Sequence, residues 1–219
     1  MAVDLRLYAL VDPAVAGGRS LADLTRRLAA SATLVQLRDK HGSTRAMVEE
    51  ARALREVLEP VGIPLLVNDR VDVALAAEAD GVHIGQDDMT VPDARLLLGR
   101  TAIIGLSVKT IEEAQAAPLE LLDYVAIGGV YATSSKDNTK PPIGVEGLRT
   151  IVDAIHARGA GFPICAIAGI NAANAADVIA AGADGVAVIS ALSLAPDPAK
   201  AAQDLRAVVD GALARRGRR

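Results

Sequence analysis

The chain has 219 residues, of which 51% are hydrophobic; this apolar content argues against disorder and suffices for one large core. A net charge of −4 and an aromatic content of 2% argue against a nucleic-acid-binding protein, which needs a basic face or stacking platforms. The N-terminus lacks the apolar region of a signal peptide, and no apolar run approaches a membrane span in length. We therefore expect a cytoplasmic protein without nucleic-acid or membrane partners.

Short apolar runs alternate with amphipathic stretches along the chain. The pattern predicts strands at 5–11, 33–37, 64–67, 81–84, 101–106, 124–127, 164–168 and 185–189. It predicts helices at 20–30, 43–59, 71–77, 91–98, 111–116, 145–157, 172–180 and 198–213. Strict alternation implies an α/β fold with a parallel sheet and right-handed crossovers. Eight such units in 219 residues favour a (β/α)8 TIM barrel.

An internal echo indicates that the sheet closes on itself. The tetrapeptide Ala-Asp-Gly-Val occurs at 79–82, before the fourth strand, and again at 183–186, before the eighth. Units four apart face each other across an eight-stranded ring, whereas a flavodoxin-like open sheet would use five or six strands. We predict a single barrel domain over residues 1–219, with the arginine-rich segment 214–219 as a frayed basic tail.

Polar residues cluster where the predicted strands end. After strands two to eight the sequence places Gln36, Arg38, Lys40, Asn68, Asp69, Arg70, Gln86, Asp87, Asp88, Ser107, Lys109, Asn171 and Ser190. We see no comparable enrichment at the N-terminal strand ends. Because the C-terminal strand ends and the loops after them build the active face of a barrel, the sequence predicts a site there.

The loop after strand six adds hydroxyls and cations to this face. Between Gly128-Gly129 and Pro141-Pro142 it holds Thr133, Ser134, Ser135, Lys136, Asn138 and Lys140. Hydroxyls beside a lysine, together with glycines that let backbone N–H groups approach, suit a phosphate. Long loops without secondary structure tend to be functional in compact domains, so we predict a phosphate contact in this loop.

Charged residues suggest a diphosphate bound with a metal. Arg38, Lys40 and Lys136 supply positive charge, and arginine can grip a phosphate with two parallel hydrogen bonds. Asp69 and Asp88 follow adjacent strands and can share Mg²⁺, which is typically held by one or two carboxylates plus substrate phosphates and water. The sequence therefore predicts Mg²⁺ as the cofactor.

A second phosphate site is expected after strands seven and eight. Gly169 and the pair Ile189-Ser190 stand where barrels commonly bind phosphate through backbone N–H groups. Two anion sites indicate two phosphorylated small-molecule substrates. Taken singly, some residues have simpler interpretations: His83 as a satisfied core histidine, and Cys165 as a buried inert thiol.

Seven motifs together resemble the thiamine-phosphate synthase family, over about residues 5–205. They are QLRDK at 36–40, VNDR at 67–70, GVHIGQDD at 81–88, GLS at 105–107, TSSK at 133–136, AIAGI at 166–170 and GADGVAVIS at 182–190. The resemblance implies a transferase of thiamine biosynthesis. It would condense 4-amino-2-methyl-5-(diphosphooxymethyl)pyrimidine with 4-methyl-5-(2-phosphooxyethyl)thiazole to give thiamine phosphate and diphosphate. In this family diphosphate leaves first, and the thiazole nitrogen captures the resulting cation.

The resemblance also implies roles for individual positions. The catalytic residues would be Arg38, Lys40, Ser107 and Lys136. The pyrimidine diphosphate would be bound by Gln36, Leu37, Arg38, Asp39, Lys40, Asn68, Ser107 and Lys136. The thiazole phosphate would be bound by Thr133, Ser134, Ser135, Gly169, Ile189 and Ser190, and Mg²⁺ by Asp69 and Asp88.

Two alternatives stay open at this point. One is a thiazole tautomerase-like barrel, and the other is a non-catalytic barrel that binds thiazole phosphate. Neither calls for the cationic segment 36–40 or for the carboxylate pair Asp69 and Asp88. The sequence is also compatible with a homo-oligomer.

Overall fold

The computed structural model describes residues 3–133 and 141–217, and within them eight parallel strands close into a barrel in chain order. The strands are β1 Leu7–Val11, β2 Leu34–Leu37, β3 Leu65–Asn68, β4 Gly81–Ile84, β5 Ile103–Val108, β6 Tyr124–Gly128, β7 Ile164–Ile167 and β8 Gly185–Val188. The helices are α1 Leu21–Leu28, α2 Thr44–Leu58, α3 Val71–Ala77, α4 Val91–Leu98, α5 Ile111–Ala116, α6 Gly144–His156, α7 Ala175–Ala180, α8 Ser190–Ser193 and α9 Pro198–Arg216. The predicted (β/α)8 TIM barrel is confirmed.

The strands are buried on both faces because the barrel interior and the helix layer each form an apolar core. In β1, Leu7, Ala9 and Val11 pack outward against the helices, while Tyr8 and Leu10 point into the barrel. The interior cluster also contains Leu66, Tyr124, Ala126, Cys165 and Ala187. Cys165 is fully buried, as expected, and burial raises the pKa of its thiol. A packed interior leaves the strand ends as the place for a site.

The same pair of hydrogen bonds recurs at four positions on the N-terminal rim of the barrel. At β2, β4, β6 and β8, the residue before the strand exchanges two hydrogen bonds with a residue near the start of the preceding strand. Its side chain accepts a backbone N–H at 2.8–3.1 Å, and its own N–H donates to that residue's carbonyl at 2.7–2.9 Å. The pairs are Thr33 with Leu7, Asp80 with Leu65, Asp123 with Ile104, and Asp184 with Ile164.

This pair of hydrogen bonds explains the Ala-Asp-Gly-Val echo and corrects one expectation. We expected no enrichment of polar residues at the N-terminal strand ends, but they recur there. Their hydrogen bonds hold neighbouring strands in register. The glycine of the echo permits close strand approach, since a Cβ on Gly81 would lie 1.9 Å from the Ile103 carbonyl oxygen. A Cβ on Gly185 would lie 1.6 Å from the Leu5 carbonyl oxygen.

Most boundaries differ from the sequence prediction by a few residues, and three differences bear on the site or on the end of the chain. β5 continues to Val108, so Ser107 lies inside the strand and not after it. The short helix α8 was not predicted, because four residues are too few to show a helical period. Helix α9 continues to Arg216, whose guanidinium donates to the Ala183 carbonyl at 2.7 Å and pairs with Asp184. The expected frayed tail is therefore wrong for residues 214–216.

None of the helices within the described ranges is both long and apolar enough to cross a membrane.

Candidate active site

Two adjoining cavities open at the C-terminal ends of the strands. The inner cavity, about 440 Å³, reaches the barrel interior at Tyr8, Ala126 and Ala187. The outer cavity, about 1010 Å³, lies among the loops after β3, β4, β5 and β6. The residues that line both are Arg38, Asn68, His83, Ser107, Lys109, Gly128, Gly129, Ala132 and Thr133. The site therefore has two compartments with a shared wall.

Arg38 is held in the shared wall by a buried carboxylate. It follows β2, and its guanidinium pairs with Asp12, which follows β1 and is only 2% exposed. One Asp12 oxygen accepts the Ala14 N–H at 2.9 Å, so the carboxylate is oriented by its own turn as well as by the arginine. A guanidinium oriented in this way presents its remaining N–H groups in a set direction, which suits an anionic ligand.

The outer cavity holds a cluster of two carboxylates and one ammonium. Asp69 follows β3 and pairs with Lys40, while Asp88 follows β4 and accepts the Gly85 N–H at 2.7 Å. Burial raises the pKa of Asp88, and the neighbouring Asp69 carboxylate raises it further. Asp69 has φ 61°, a left-handed conformation that aspartate tolerates better than most residues.

This cluster fits a hard divalent cation. A carboxylate whose protonated form is favoured by burial and by a neighbouring carboxylate, as at Asp88, also favours a positive charge beside it. Within residues 3–133 and 141–217, no three His, Cys, Asp or Glu side chains converge. A pair of carboxylates would suit Mg²⁺, an ion that completes its shell with water and substrate phosphates.

A hydrogen-bonded network crosses the floor of the inner cavity. Gln36 Nε2 donates to the Tyr8 hydroxyl, which lies 3.0 Å from the Tyr124 hydroxyl. His83 Nδ1 lies 2.9 Å from the Tyr124 hydroxyl, and its Nε2 lies 2.9 Å from Ser107 Oγ. The expectation that His83 is a satisfied histidine agrees with these bonds. Its place in the wall of both cavities was not expected.

Two buried amide atoms beside this network have no hydrogen-bond partner among the described residues. They are Gln36 Oε1, an acceptor, and Asn68 Nδ2, a donor. Both residues line the inner cavity. A buried polar atom without a partner costs roughly 1–3 kcal/mol, so these atoms indicate a place for a ligand that offers one donor and one acceptor.

The opposite side of the inner cavity is built from backbone after β7 and β8. Ala168 and Gly169 have φ 88° and 67°. A Cβ on Gly169 would lie 2.5 Å from the Ala132 carbonyl oxygen, so only glycine fits there. Asn174 Nδ2 donates to the Gly169 carbonyl at 2.9 Å and braces the loop. With Ile189 and Ser190 at the start of α8, these residues line the inner cavity.

The structure brings together most of the predicted site residues but not all of them. Gln36, Arg38 and Lys40 line the cavities, as alternate residues of an extended segment should. Leu37 points outward into the helix layer, and the Asp39 carboxylate accepts the His41 and Gly42 N–H groups in its own turn. Ser134, Ser135 and Lys136 lie outside the described residues.

Several residues of the site escaped the sequence analysis. Asp12 ends an apolar run and gives no pattern of its own. Tyr8 and Tyr124 were taken only as strand residues, although a buried tyrosine needs a partner for its hydroxyl, which is a usable signal. Asn174 lies in a stretch that was predicted to be helical.

Comparison with known proteins identifies the family of the chain. The family described as thiamine monophosphate synthase matches residues 7–192. A thiamine-phosphate synthase of Agrobacterium fabrum is 50% identical over 212 residues, covering 96% of both chains, and one of Chloroflexus aurantiacus is 49% identical over 208 residues, covering 94% of both. A solved thiamine phosphate pyrophosphorylase of Pyrococcus furiosus superposes with a TM-score of 0.83 at 38% identity, covering 96% of this chain and 98% of its own. The chain therefore belongs to the thiamine monophosphate synthase family.

Proposed function

We propose that the chain is a transferase that condenses 4-amino-2-methyl-5-(diphosphooxymethyl)pyrimidine with 4-methyl-5-(2-phosphooxyethyl)thiazole to give thiamine phosphate and diphosphate. The observation that carries this proposal is one pocket with two joined compartments. A carboxylate pair with cations lies on one side, and unpaired amide atoms and a glycine-built loop lie on the other. The relatives named above, at about half identity over nearly the whole chain, support the same reaction.

The aminopyrimidine binds at Gln36 and Asn68 in this proposal. Its exocyclic amino group is a donor, which matches the unpaired Gln36 Oε1. A ring nitrogen is an acceptor, which matches the unpaired Asn68 Nδ2. The ligand thus satisfies both buried atoms and recovers the free energy that each loses while unpaired.

The diphosphate lies against Arg38, Lys40 and Ser107, with Lys136 of the loop after β6 as a further cation. Asp69 and Asp88 would hold Mg²⁺ beside it. The chemistry supplied by Mg²⁺ when bound is neutralisation of charge on the leaving diphosphate. Arg38 is already fixed by Asp12, so its positive charge needs little reorganisation when negative charge develops on the leaving group.

The thiazole phosphate occupies the side built by Gly169, Ile189 and Ser190, with Thr133, Ser134 and Ser135 contributing hydroxyls. The loops after strands seven and eight, with the N-terminus of a short extra helix, are a common phosphate site in barrels. Helix α8 is such an extra helix. Both rings then share the inner cavity, with the thiazole phosphate on the side built by the loops after β7 and β8 and the pyrimidine at Gln36 and Asn68.

The reaction breaks the bond between the pyrimidine methylene carbon and the diphosphate oxygen, and the electron pair leaves with diphosphate. The thiazole nitrogen then donates its lone pair to the methylene carbon and forms the new C–N bond. The chain's contribution is to hold the two reactants in line and to stabilise the departing charge. No nucleophilic side chain takes part in the proposed step.

A thiazole tautomerase-like barrel and a non-catalytic thiazole-phosphate-binding protein are not favoured. A protein that handles only a phosphomonoester has no use for the Asp69 and Asp88 pair. It also has no use for unpaired amide atoms that suit a second ring. The named relatives give no support to either alternative.

The test is a turnover assay with purified protein, both phosphorylated substrates and Mg²⁺, in which thiamine phosphate and diphosphate are quantified. We expect both products in equal amounts, and none when either substrate is omitted or when EDTA is present. Tight binding of the thiazole phosphate without any product would contradict the proposed reaction and favour the binding barrel.

A further inference from the structure

Two cationic side chains lie where the two cavities meet. Among the described residues, Arg38 and Lys109 are the only arginine or lysine that lines both cavities. In the proposed function the pyrimidine ring lies in the inner cavity and its diphosphate extends into the outer one. The bond that breaks therefore lies at the shared wall. Arg38 already has a role there, whereas Lys109 has none.

Strand β5 and the turn after it place Lys109 at this wall. Side chains alternate along an extended strand, so Lys109 follows Ser107 on the cavity side, while Val108 packs into the helix layer. The Glu113 carboxylate accepts the Lys109 N–H at 2.6 Å, and Thr110 Oγ1 accepts the Glu113 N–H at 3.2 Å. These two bonds resemble a capping box and fix the backbone of Lys109 before α5 begins.

The two cations differ in how far their charge is already compensated. Arg38 forms an ion pair with Asp12, a carboxylate that is only 2% exposed. Within residues 3–133 and 141–217, the Lys109 ammonium has neither an ion-pair partner nor a hydrogen-bond acceptor. Its full positive charge is therefore available to an anion at the shared wall. Substrates that fill both cavities displace water, and the loss of screening strengthens this attraction.

The strand order favours the diphosphate over the thiazole phosphate as the partner of Lys109. Lys109 follows β5, the strand that carries Ser107, a predicted diphosphate contact. Strand β5 pairs with β4, and Asp88 in the loop after β4 lines the outer cavity. Gly169 and Ser190 follow β7 and β8, which are two and three strands away from β5 around the barrel.

We propose that Lys109 is a catalytic residue that contacts the leaving diphosphate at the oxygen bonded to the pyrimidine methylene carbon. As this bond breaks, the electron pair stays on the oxygen, and the Lys109 ammonium stabilises the new charge through a charge-assisted hydrogen bond. Lys109 keeps its proton, so the diphosphate leaves as an anion. This proposal rests on the proposed function and adds a residue to its chemistry.

Lys109→Met removes the charge and keeps most of the side-chain volume. We expect kcat to fall about 100-fold, a usual cost of losing one donor to a developing oxyanion. The Tm should equal that of wild type, because no ion pair of Lys109 is lost in the part of the chain that the structure describes. Lys109→Arg restores a positive charge and should recover most of the lost kcat.

Lys200→Met is the matched control, since Lys200 pairs with Asp204 on α9 and lines neither cavity. Its kcat should equal that of wild type. A loss of kcat in Lys109→Met that is no larger than in Lys200→Met would overturn the proposal. A rise in KM with an unchanged kcat would also overturn it, because the contact would then not strengthen as the bond breaks.

A binding measurement decides which phosphate Lys109 contacts and needs no turnover. In calorimetric titrations with Mg²⁺ present, we expect Lys109→Met to bind inorganic diphosphate about tenfold more weakly than wild type and the thiazole phosphate equally well. Weaker binding of the thiazole phosphate with unchanged binding of diphosphate would overturn the proposal. Absence of thiamine phosphate in the wild-type assay would instead count against the proposed function, so the two failures are distinguishable.

Discussion

Aspartates lie at both rims of the barrel but have different partners at each. At the N-terminal rim, Asp80, Asp123 and Asp184 each accept a backbone N–H of the neighbouring strand. At the C-terminal rim, Asp69 and Asp88 lie together, and Lys40 pairs with one of them. A carboxylate that accepts a backbone N–H from a neighbouring strand stabilises the fold. Two carboxylates that lie side by side repel each other and therefore attract a cation. Hydrogen-bond and ion-pair partners, and not residue type, therefore distinguish the structural aspartates from those of the candidate site.

The largest difference between the two rims is expected from a pair of Asp→Asn substitutions, one at each rim. We expect Asp69→Asn to lower kcat/KM at limiting Mg²⁺ by about 100-fold or more, since it removes a carboxylate from the predicted metal site. Asparagine also tolerates the left-handed backbone at this position, so the fold should be kept. Steady-state kinetics across a Mg²⁺ titration measure the effect.

Asp80→Asn is the control, because the amide oxygen can still accept the Leu65 N–H. Its kcat/KM should match wild type, and its free energy of unfolding should change by no more than about 1 kcal/mol. Equal activities of the two variants would contradict the metal assignment.

A second pair of substitutions replaces two glycines that have similar left-handed backbone conformations. Gly169 and Gly161 have φ 67° and 72°, but a Cβ would clash with the Ala132 carbonyl oxygen only at Gly169. We expect Gly169→Ala to shift the loop after β7 and to raise KM for the thiazole phosphate about tenfold or more. Gly161→Ala should cost about 1 kcal/mol of stability from backbone strain alone and leave KM unchanged. Isothermal titration with the thiazole phosphate checks both, and equal affinities would refute this placement of the phosphate.

The smallest expected effect is the pH dependence of stability that arises from Asp88. The pKa of Asp88 is raised above its ordinary value of 3.8 in the folded state, first by burial and then by Asp69. The folded state therefore binds this proton more tightly than the unfolded state, and stability falls as pH rises through the raised pKa. In EDTA, Asp88→Asn should have a higher Tm than wild type at pH 7, and the difference should vanish toward pH 3.8.

Thermal unfolding across this pH range measures the difference between the two proteins. Added Mg²⁺ should raise the Tm of wild type but not that of Asp88→Asn, since the variant lacks one of the two carboxylates proposed to bind the metal. A lower Tm for the variant at pH 7 in EDTA would show that the carboxylate pair costs no stability.

The sequence predicted the barrel and much of the site for one physical reason. Strand ends in a parallel barrel lie at one face, so Arg38, Asp69 and Asp88 could be grouped from their positions alone. What it missed depends on contacts across the barrel. The pairing of Asp12 with Arg38 joins two strand ends whose side-chain directions no linear pattern gives.

The network from Gln36 to Ser107 was missed for the same reason, since its members come from five strands and meet only in the closed interior. The N-terminal rim was misjudged because the number of polar residues at a strand end does not show which backbone groups they bond. The Ala-Asp-Gly-Val echo was seen, but its cause, a side chain that caps the neighbouring strand, needed the register of β3 with β4 and of β7 with β8.

The most direct test of the central claim is a crystal structure of the protein with the thiazole phosphate, inorganic diphosphate and Mn²⁺, which stands in for Mg²⁺ and is located by its anomalous signal. The account predicts the metal between Asp69 and Asp88, the diphosphate against Arg38 and Lys40, and the phosphate of the thiazole at Gly169 and Ser190. A metal bound away from the carboxylate pair, or a thiazole phosphate on the Arg38 side, would contradict it.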